Sequence, residues 1–280
     1  MNSLLKMCRE SRIPCPGHSF GGMKLYPILF VMACLAGCSN AQEGMYSTAN
    51  AHSHNDYNNT NPFFGAYAEN FGSIEADIFL HNDSLIVGHN LADTQYHRTL
   101  ELMYLAPLEQ QVERNKGTPY KDSHLPLQVM IDLKTEGQPT LGKLVNILQH
   151  YPALIQSKNI QFVISGNRPA DSLFASYPAY IWFDGILSKQ YAPAALSKIV
   201  MLSDDMKHYT KWDGKSALAK PDYLKLDSMV HYAHQLQKKV RFWDAPDSLP
   251  AWKELVKLQV DYINTDRIPE LSSFFRQQKR

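Results

Sequence analysis

No cysteine follows Cys38 in this chain of 280 residues. All four, Cys8, Cys15, Cys34 and Cys38, crowd into the start. The body therefore has neither a disulfide staple nor a thiolate metal site. Net charge is also low, formally +1. That leaves no electrostatic footprint for a nucleic-acid partner. Neither a Gly-x-Gly-x-x-Gly turn nor a Walker-type Gly-Lys-Ser/Thr loop occurs, so two common phosphate cradles of open α/β sheets are missing. There is no internal repeat and no low-complexity segment. With 44% hydrophobic and 20% charged residues, the chain is globular, with length for one large α/β domain or two small ones.

One long apolar run stands at the N-terminus. Lys24 is followed by an apolar stretch of about a dozen residues and then by small residues, the layout of an export signal and too short to span a bilayer. Its end, Leu35-Ala36-Gly37-Cys38, resembles a bacterial lipobox, in which the cysteine takes the lipid and becomes the mature N-terminus. The alternatives are a plain signal peptide with a chance cysteine, or a short buried helix. Met23 is a candidate for the true start. The expected organisation is a leader over residues 1–38, a short polar tether over 39–46 and one folded domain over 47–280. Removing the leader takes away four basic residues and one acidic one and turns the formal charge from +1 to −2. The expectation is a monomeric protein of the bacterial cell envelope, held to the membrane by a lipid on Cys38.

The body alternates between two patterns. Short apolar runs rich in Ile, Val, Phe and Tyr predict strands at 48–52, 73–80, 127–133, 160–165, 181–187, 199–202, 240–243 and 262–265. Helical patterns lie between most of them. Eight strands alternating with helices predict an α/β fold of the TIM-type (β/α)8 barrel class, with an open doubly wound sheet as the alternative. Residues 90–126 and 203–221 interrupt the alternation and predict loops over the active face.

The chemistry concentrates in residues 51–90. Glu75 and Asp77 are two apart on a strand, so their carboxylates point to one side. Asp132 and Lys134 repeat that spacing at the end of the next strand. Three carboxylates suit a hard divalent cation, Mg2+ or Ca2+; a structural ion-pair cluster around Lys134 is the other reading. His52 ends the first predicted strand. His89 closes an expected return strand over 83–89 that pairs with the Glu75 strand. Two imidazoles beside a phosphorus centre can serve as general base and general acid.

The pattern Ala-His52, Ser-Ile-Glu75-Ala-Asp77-Ile, Val-Gly-His89, Ile-Asp132-Leu-Lys134, Phe-Trp243 and Asn-Thr-Asp266 resembles the PLC-like phosphodiesterase superfamily. That group includes glycerophosphodiester phosphodiesterases and sphingomyelinase D-like enzymes. The His-Ser-His-Asn-Asp-Tyr opening is similar to the branch called altered inheritance of mitochondria protein 6-like. The resemblance spans about residues 51–269. It implies a metal-dependent phosphoric diester hydrolase acting on a small-molecule or lipid phosphodiester. In it Glu75, Asp77 and Asp132 are the metal ligands, His52 and His89 the acid and base, and Lys134 faces the phosphate. The family's His-Arg-Gly is His52-Ser53-His54 here. His54 or Asn55 then stands in for the missing phosphate-binding arginine, or His54 replaces His52 as the catalytic histidine. Arg168 and Trp243, each after or at a strand end, are further candidates for binding substrate. The rival reading is a non-catalytic protein that keeps the metal to hold a phosphorylated ligand; a phosphomonoesterase is a third.

Overall fold

The computed structural model describes residues 46–278. The leader, the expected lipidation site Cys38 and nearly all of the tether lie outside the described residues. Among the described residues no helix is long and apolar enough to cross a membrane.

Nine strands form among the described residues: β1 (Ala51–Ser53), β2 (Ser73–His81), β3 (Ser84–Val87), β4 (Leu127–Leu133), β5 (Ile160–Gly166), β6 (Ile181–Ile186), β7 (Ile199–Asp205), β8 (Lys239–Trp243) and β9 (Ile263–Thr265). All but β3 lie in one parallel path, β8-β7-β6-β5-β4-β2-β1-β9. A single parallel bridge, Arg241 to Tyr262, joins the path's two ends. The backbone N–H of Tyr262 donates to the Val240 carbonyl across that seam at 3.1 Å. This is a nearly closed eight-stranded parallel barrel with helices around it, the expected (β/α)8 arrangement.

Strand alternation sorts the side chains. On β2, Ile74, Ala76 and Ile78 belong to the core shared with the surrounding helices, while Ser73, Glu75 and Asp77 take the opposite face, inside the barrel. Helix Gly137–Leu148 sends Leu141, Leu144 and Leu148 to that core at helical spacing. A second, smaller cluster of Met130, Val163, Met201 and Tyr262 comes from inward positions of β4, β5 and β7 and from the seam beside β8. Each such side chain contributes about 1.5–3 kcal/mol by leaving water. The next inward residues toward the strand ends are polar: Asp132, Ser165 and Ser203. The apolar layer thus floors a polar mouth.

Several elements depart from the sequence reading. Residues 48–50 form a 3-10 turn capped by Ser47 rather than strand. Strand β7 runs on to Asp205, three residues beyond its predicted end. The chain's last helix, Ile268–Gln278, was not anticipated.

Candidate active site

A cavity of about 700 Å3 opens where the parallel strands end. Its wall holds Glu75, Asp77, Asp132, Lys134, His54 and His89, and also Asn55, Arg168 and Trp243. Of the expected site residues within the described chain, only His52 is off the wall.

Two neighbouring strands hold the acidic centre. Asp77 and Asp132 are register partners between β2 and β4, and Glu75 lies one inward position below Asp77. One oxygen from each of the three carboxylates lies within 4.8 Å of the others. Lys134 bridges two of them, with its Nζ 2.8 Å from Asp77 Oδ2 and 2.9 Å from Asp132 Oδ1. Burial and the charge of Glu75 push the Asp77 carboxyl up, against the pull of Lys134. Its Oδ1 is buried and has no hydrogen-bond partner. An orphaned carboxylate oxygen among hard oxygen donors fits a divalent cation, so Glu75, Asp77 and Asp132 could hold one.

Gly166 makes room for this arrangement. Its φ is +69°, and a Cβ there would sit 2.5 Å from Asp132 Oδ1. Glycine alone accepts both conditions without cost.

A tight turn delivers His89. Asn82 and Asp83 both have positive φ, the pattern of a two-residue hairpin that twists with its strands. Strand β3 returns antiparallel to β2 and sets Val87 beside Ile78. The Asp93 carboxylate then accepts from the backbone N–H groups of His89 and Asn90, each at 2.8 Å. A Cβ on Gly88 would meet Asp93 Cβ at 2.4 Å, so the Val-Gly-His order is a packing requirement. His89 Nδ1 lies 3.3 Å from Asp77 Oδ2, and the imidazole is about half exposed at the cavity mouth.

His52 and His54 both point into the barrel, one layer apart. His52 pairs with Ser73 and Ser53 with Ile74, which carries His54 to the level of Glu75. His52 sits below and is fully buried. Its Nε2 lies 2.7 Å from Arg241 Nη1 and 2.8 Å from Glu75 Oε2. An arginine can only donate, so Nε2 accepts and the ring proton sits on Nδ1, facing Ser73 Oγ at 2.7 Å. Burial and the Arg241 charge lower the His52 pKa to about 4. His54 faces the cavity, with Nδ1 2.9 Å from Asp266 Oδ1. Burial pulls its pKa down, but the Asp266 hydrogen bond and the charges of Glu75 and Asp266 outweigh that and raise it. Asp56 braces the loop that carries His54. Its carboxylate accepts from Ser53 Oγ at 2.7 Å, from the Phe63 backbone N–H at 2.5 Å and from Tyr104 at 3.0 Å. The His-Ser-His-Asn-Asp-Tyr string is thus largely a loop-setting device.

Protonation of His52 has a consequence for stability. The unfolded chain takes up this proton near 6.5, the fold near 4. Between those values the unfolded state binds more protons, so stability is lost as pH falls through that window. Asp184, which burial raises from 3.8 to about 6, acts oppositely and loses stability as pH rises through its own window. His52→Gln is expected to flatten the acid-side decline in melting temperature between pH 6.5 and 4. An unchanged slope would mean that His52 is already charged in the fold.

Four residues of the cavity wall escaped sequence reading. Asp184 on β6, Ser203 and Asp204 on β7, and Arg241 on β8 all lie on the cavity wall. Arg241 Nη1 is 3.3 Å from Glu75, and its Nη2 is 3.8 Å from Asp184. The Arg241 charge holds the Glu75 carboxyl well below the usual range despite its burial. A lone charge inside an apolar strand run, as in Ile-Trp-Phe-Asp184 and Val-Arg241-Phe-Trp, was the available signal. Of the weaker substrate candidates, Trp243 is partly exposed on the wall. Arg168 donates to the Asp184 backbone carbonyl, and Asn55 accepts from Tyr57 at 2.9 Å.

A barrel with a lysine, two imidazoles and a carboxylate trio that could hold a cation at its open end suits one class, hydrolases of phosphate esters. Comparison with known proteins narrows it. The model of the AIM6-like phosphodiesterase domain matches residues 44–177, and that of the glycerophosphoryl diester phosphodiesterase family matches residues 239–268. The chain belongs to this AIM6-like and glycerophosphodiesterase-like branch of the PLC-like phosphodiesterase superfamily, whose members are phosphoric diester hydrolases. Among curated proteins it is similar to the altered inheritance of mitochondria protein 6 homolog of Arthroderma benhamiae. The two are 25% identical over 80% of this chain and 83% of that one. The Kluyveromyces lactis protein of that name is 26% identical over 80% and 72%. A solved glycerophosphodiester phosphodiesterase from Parabacteroides distasonis shares the fold. Its TM-score is 0.52 at 15% identity, over 82% of this chain and 99% of that one.

These relatives overturn one expectation. The named curated relatives are fungal, and their names refer to mitochondrial inheritance. They are eukaryotic proteins and contradict the expected bacterial cell envelope. The envelope had been read from the export-signal layout over residues 24–38 and its lipobox-like end, far less sequence than the relatives share with the folded body.

Proposed function

We propose that the chain cleaves a phosphodiester at a divalent cation, Mg2+ or Ca2+, held by Glu75, Asp77 and Asp132, with His54 and His89 moving the protons. The observation that carries this reading is the unpartnered Asp77 Oδ1 in a carboxylate trio flanked by two cavity-facing imidazoles. The bound cation would supply positive charge to the phosphoryl oxygens, a contribution of several kcal/mol in such sites. Lys134, on Asp77 and Asp132, is placed to add to it.

The base role expected of His52 passes to His54. A buried imidazole whose Nε2 is turned to Arg241 has no lone pair left for substrate. His54 uses Nδ1–H on Asp266 and leaves Nε2 free toward the cavity. A nucleophile with its base and an orienting carboxylate is a recurrent arrangement. His54 would take the proton from the attacking hydroxyl, and His89 would give one to the leaving alkoxide. A hydroxyl of the substrate next to the phosphate can be that nucleophile. Attack then closes a cyclic phosphodiester and expels the alcohol; water can open the ring afterwards.

A panel of phosphodiesters followed by 31P NMR, with and without added Mg2+ or Ca2+, tests the proposal. A diester should be turned over only with the cation present, and a cyclic product would reveal internal attack. Cation binding without turnover of any diester would instead favour the non-catalytic ligand-holding reading.

A further inference from the structure

One buried hydroxyl lies between the acidic centre and His89, and the proposed chemistry does not use it. Tyr57 sits in the 3-10 turn Asp56–Asn58 that follows β1. Its ring belongs to the main apolar core, and the residue is 2% exposed. Its oxygen is 2.8 Å from Asp77 Oδ2, 2.9 Å from Asn55 Oδ1 and 3.3 Å from His89 Nδ1. A phenol has one hydrogen to give and lone pairs with which to accept. Of the two oxygens that can take the hydrogen, the carboxylate is the stronger acceptor, so it goes to Asp77. Lys134 Nζ reaches the same Asp77 Oδ2, also at 2.8 Å. A carboxylate oxygen has about two lone-pair sites, and Lys134 and Tyr57 fill them. His89 Nδ1 lies 3.3 Å from that oxygen as well, but finds it occupied. The Tyr57 oxygen, at the same distance, still has a lone pair to offer. Both atoms facing Nδ1 are then acceptors, so Nδ1 carries the ring hydrogen and Nε2 is left for the cavity.

We propose that Tyr57 is a positioning residue for His89: its hydroxyl donates to Asp77 Oδ2, accepts from His89 Nδ1–H, and so presents Nε2–H to the leaving group. The proposal rests on the phosphodiesterase reading and on the acid role given there to His89. When the P–O bond breaks, its electron pair goes to the leaving alkoxide oxygen, and that oxygen takes the proton from Nε2. The ring ends neutral, with its other hydrogen still on Nδ1 and held by Tyr57. Three features favour this relay over a direct hold by Asp77. The His89 side chain is about half exposed, so hydrogen bonds rather than packing must set its ring. Tyr57 is fixed by packing instead, on a turn that Asp56 ties to Ser53, Phe63 and Tyr104. Asp77 has other tasks: Lys134 holds Oδ2, and the unpartnered Oδ1 is the atom that suits a cation. The relay also explains why the His-Ser-His-Asn-Asp-Tyr string ends in tyrosine. Phenylalanine would fill the same core space, and only the hydroxyl touches the site.

The test compares two diesters that differ only in the group expelled, 2-hydroxypropyl ethyl phosphate and 2-hydroxypropyl 4-nitrophenyl phosphate. Each is given to the full chain at saturation with Mg2+ and followed by 31P NMR. Ethoxide needs a proton as it leaves; 4-nitrophenolate does not. The ratio of the two kcat values therefore reads the acid, because a loss at the cation or in folding lowers both alike. Tyr57→Phe should lower the ethyl-to-nitrophenyl ratio about tenfold, the scale for removing a supporting hydrogen bond, and His89→Ala should lower it at least as far. A ratio that falls in His89→Ala but not in Tyr57→Phe would overturn the relay and leave the diesterase reading standing. Turnover with an unchanged ratio in both variants would remove the acid role of His89 and the relay with it. A second readout needs no turnover. Long-range 1H–15N spectra of the full chain, labelled with 15N-histidine, should place the hydrogen of neutral His89 on Nδ1 in the wild type and move part of it to Nε2 in Tyr57→Phe. A wild-type ring with its hydrogen on Nε2 would overturn the relay even if the variant fails to fold. A chain that turns over neither diester loses the diesterase reading, and the spectra then still decide the hydrogen bond.

Discussion

Glu75→Gln is expected to lower kcat/KM on a phosphodiester about 1,000-fold while the protein stays folded. A factor of that size is about 4 kcal/mol of transition-state stabilisation, the amount a cation on phosphoryl oxygens supplies. Glu75 brings to the trio a carboxylate that is ionised despite its burial. Arg241, at 3.3 Å, makes that possible. Glutamine keeps the shape and one acceptor for Arg241 but loses the negative charge a divalent cation needs. Glu75→Ala should fail differently. It opens a void beside a buried guanidinium, and breaking a buried ion pair from one side costs about 3–5 kcal/mol. Asp184, 3.8 Å from the same guanidinium, and the His52 ring keep the loss toward the lower end. Denaturant titration separates the two effects. Full turnover by folded Glu75→Gln would remove Glu75 from the catalytic centre.

The contrast between those variants shows what a sequence can carry about such a site. Glu75 with Asp77, and Asp132 with Lys134, were legible because each pair lies two residues apart on a strand, and two-residue spacing means one face. The strands themselves were legible as apolar runs between helical patterns. Arg241 was not, because its partners Glu75 and Asp184 are far away in the chain, and only barrel closure brings them together. Ser203 and Asp204 were lost for a local reason. The apolar run stops at Leu202, and the strand continues as polar residues that only a cavity wall would tolerate. Asp266 was legible only as the end of the family-like Asn-Thr-Asp string, because its partner His54 lies at the far end of the chain.

His52 and His54 pose the hardest case, and a pair of substitutions resolves it. Two residues apart, both point inward, so periodicity cannot say which reaches the substrate. Register against β2 does: His52 sits level with Ser73 and His54 level with Glu75. His54→Ala is expected to cut kcat by about 100- to 10,000-fold, the range for losing a general base, with little change in folding stability. Asp266→Asn should keep part of the activity and move a limb of the pH profile. Asp266 helps raise the His54 pKa, and a base must be unprotonated to act. Without that charge the rising limb of kcat/KM shifts to lower pH. His52→Ala is expected to act on the fold first. It leaves Ser73 and Arg241 each short of a buried partner and exposes a cavity beneath Glu75, a loss of about 2–4 kcal/mol. Any fall in its activity should come without a moved limb, because a histidine held near pH 4 has given up its proton before the working range begins. A moved limb in His52→Ala, with none in Asp266→Asn, would return the base role to His52 and require Arg241 to swing away from its Nε2 during turnover.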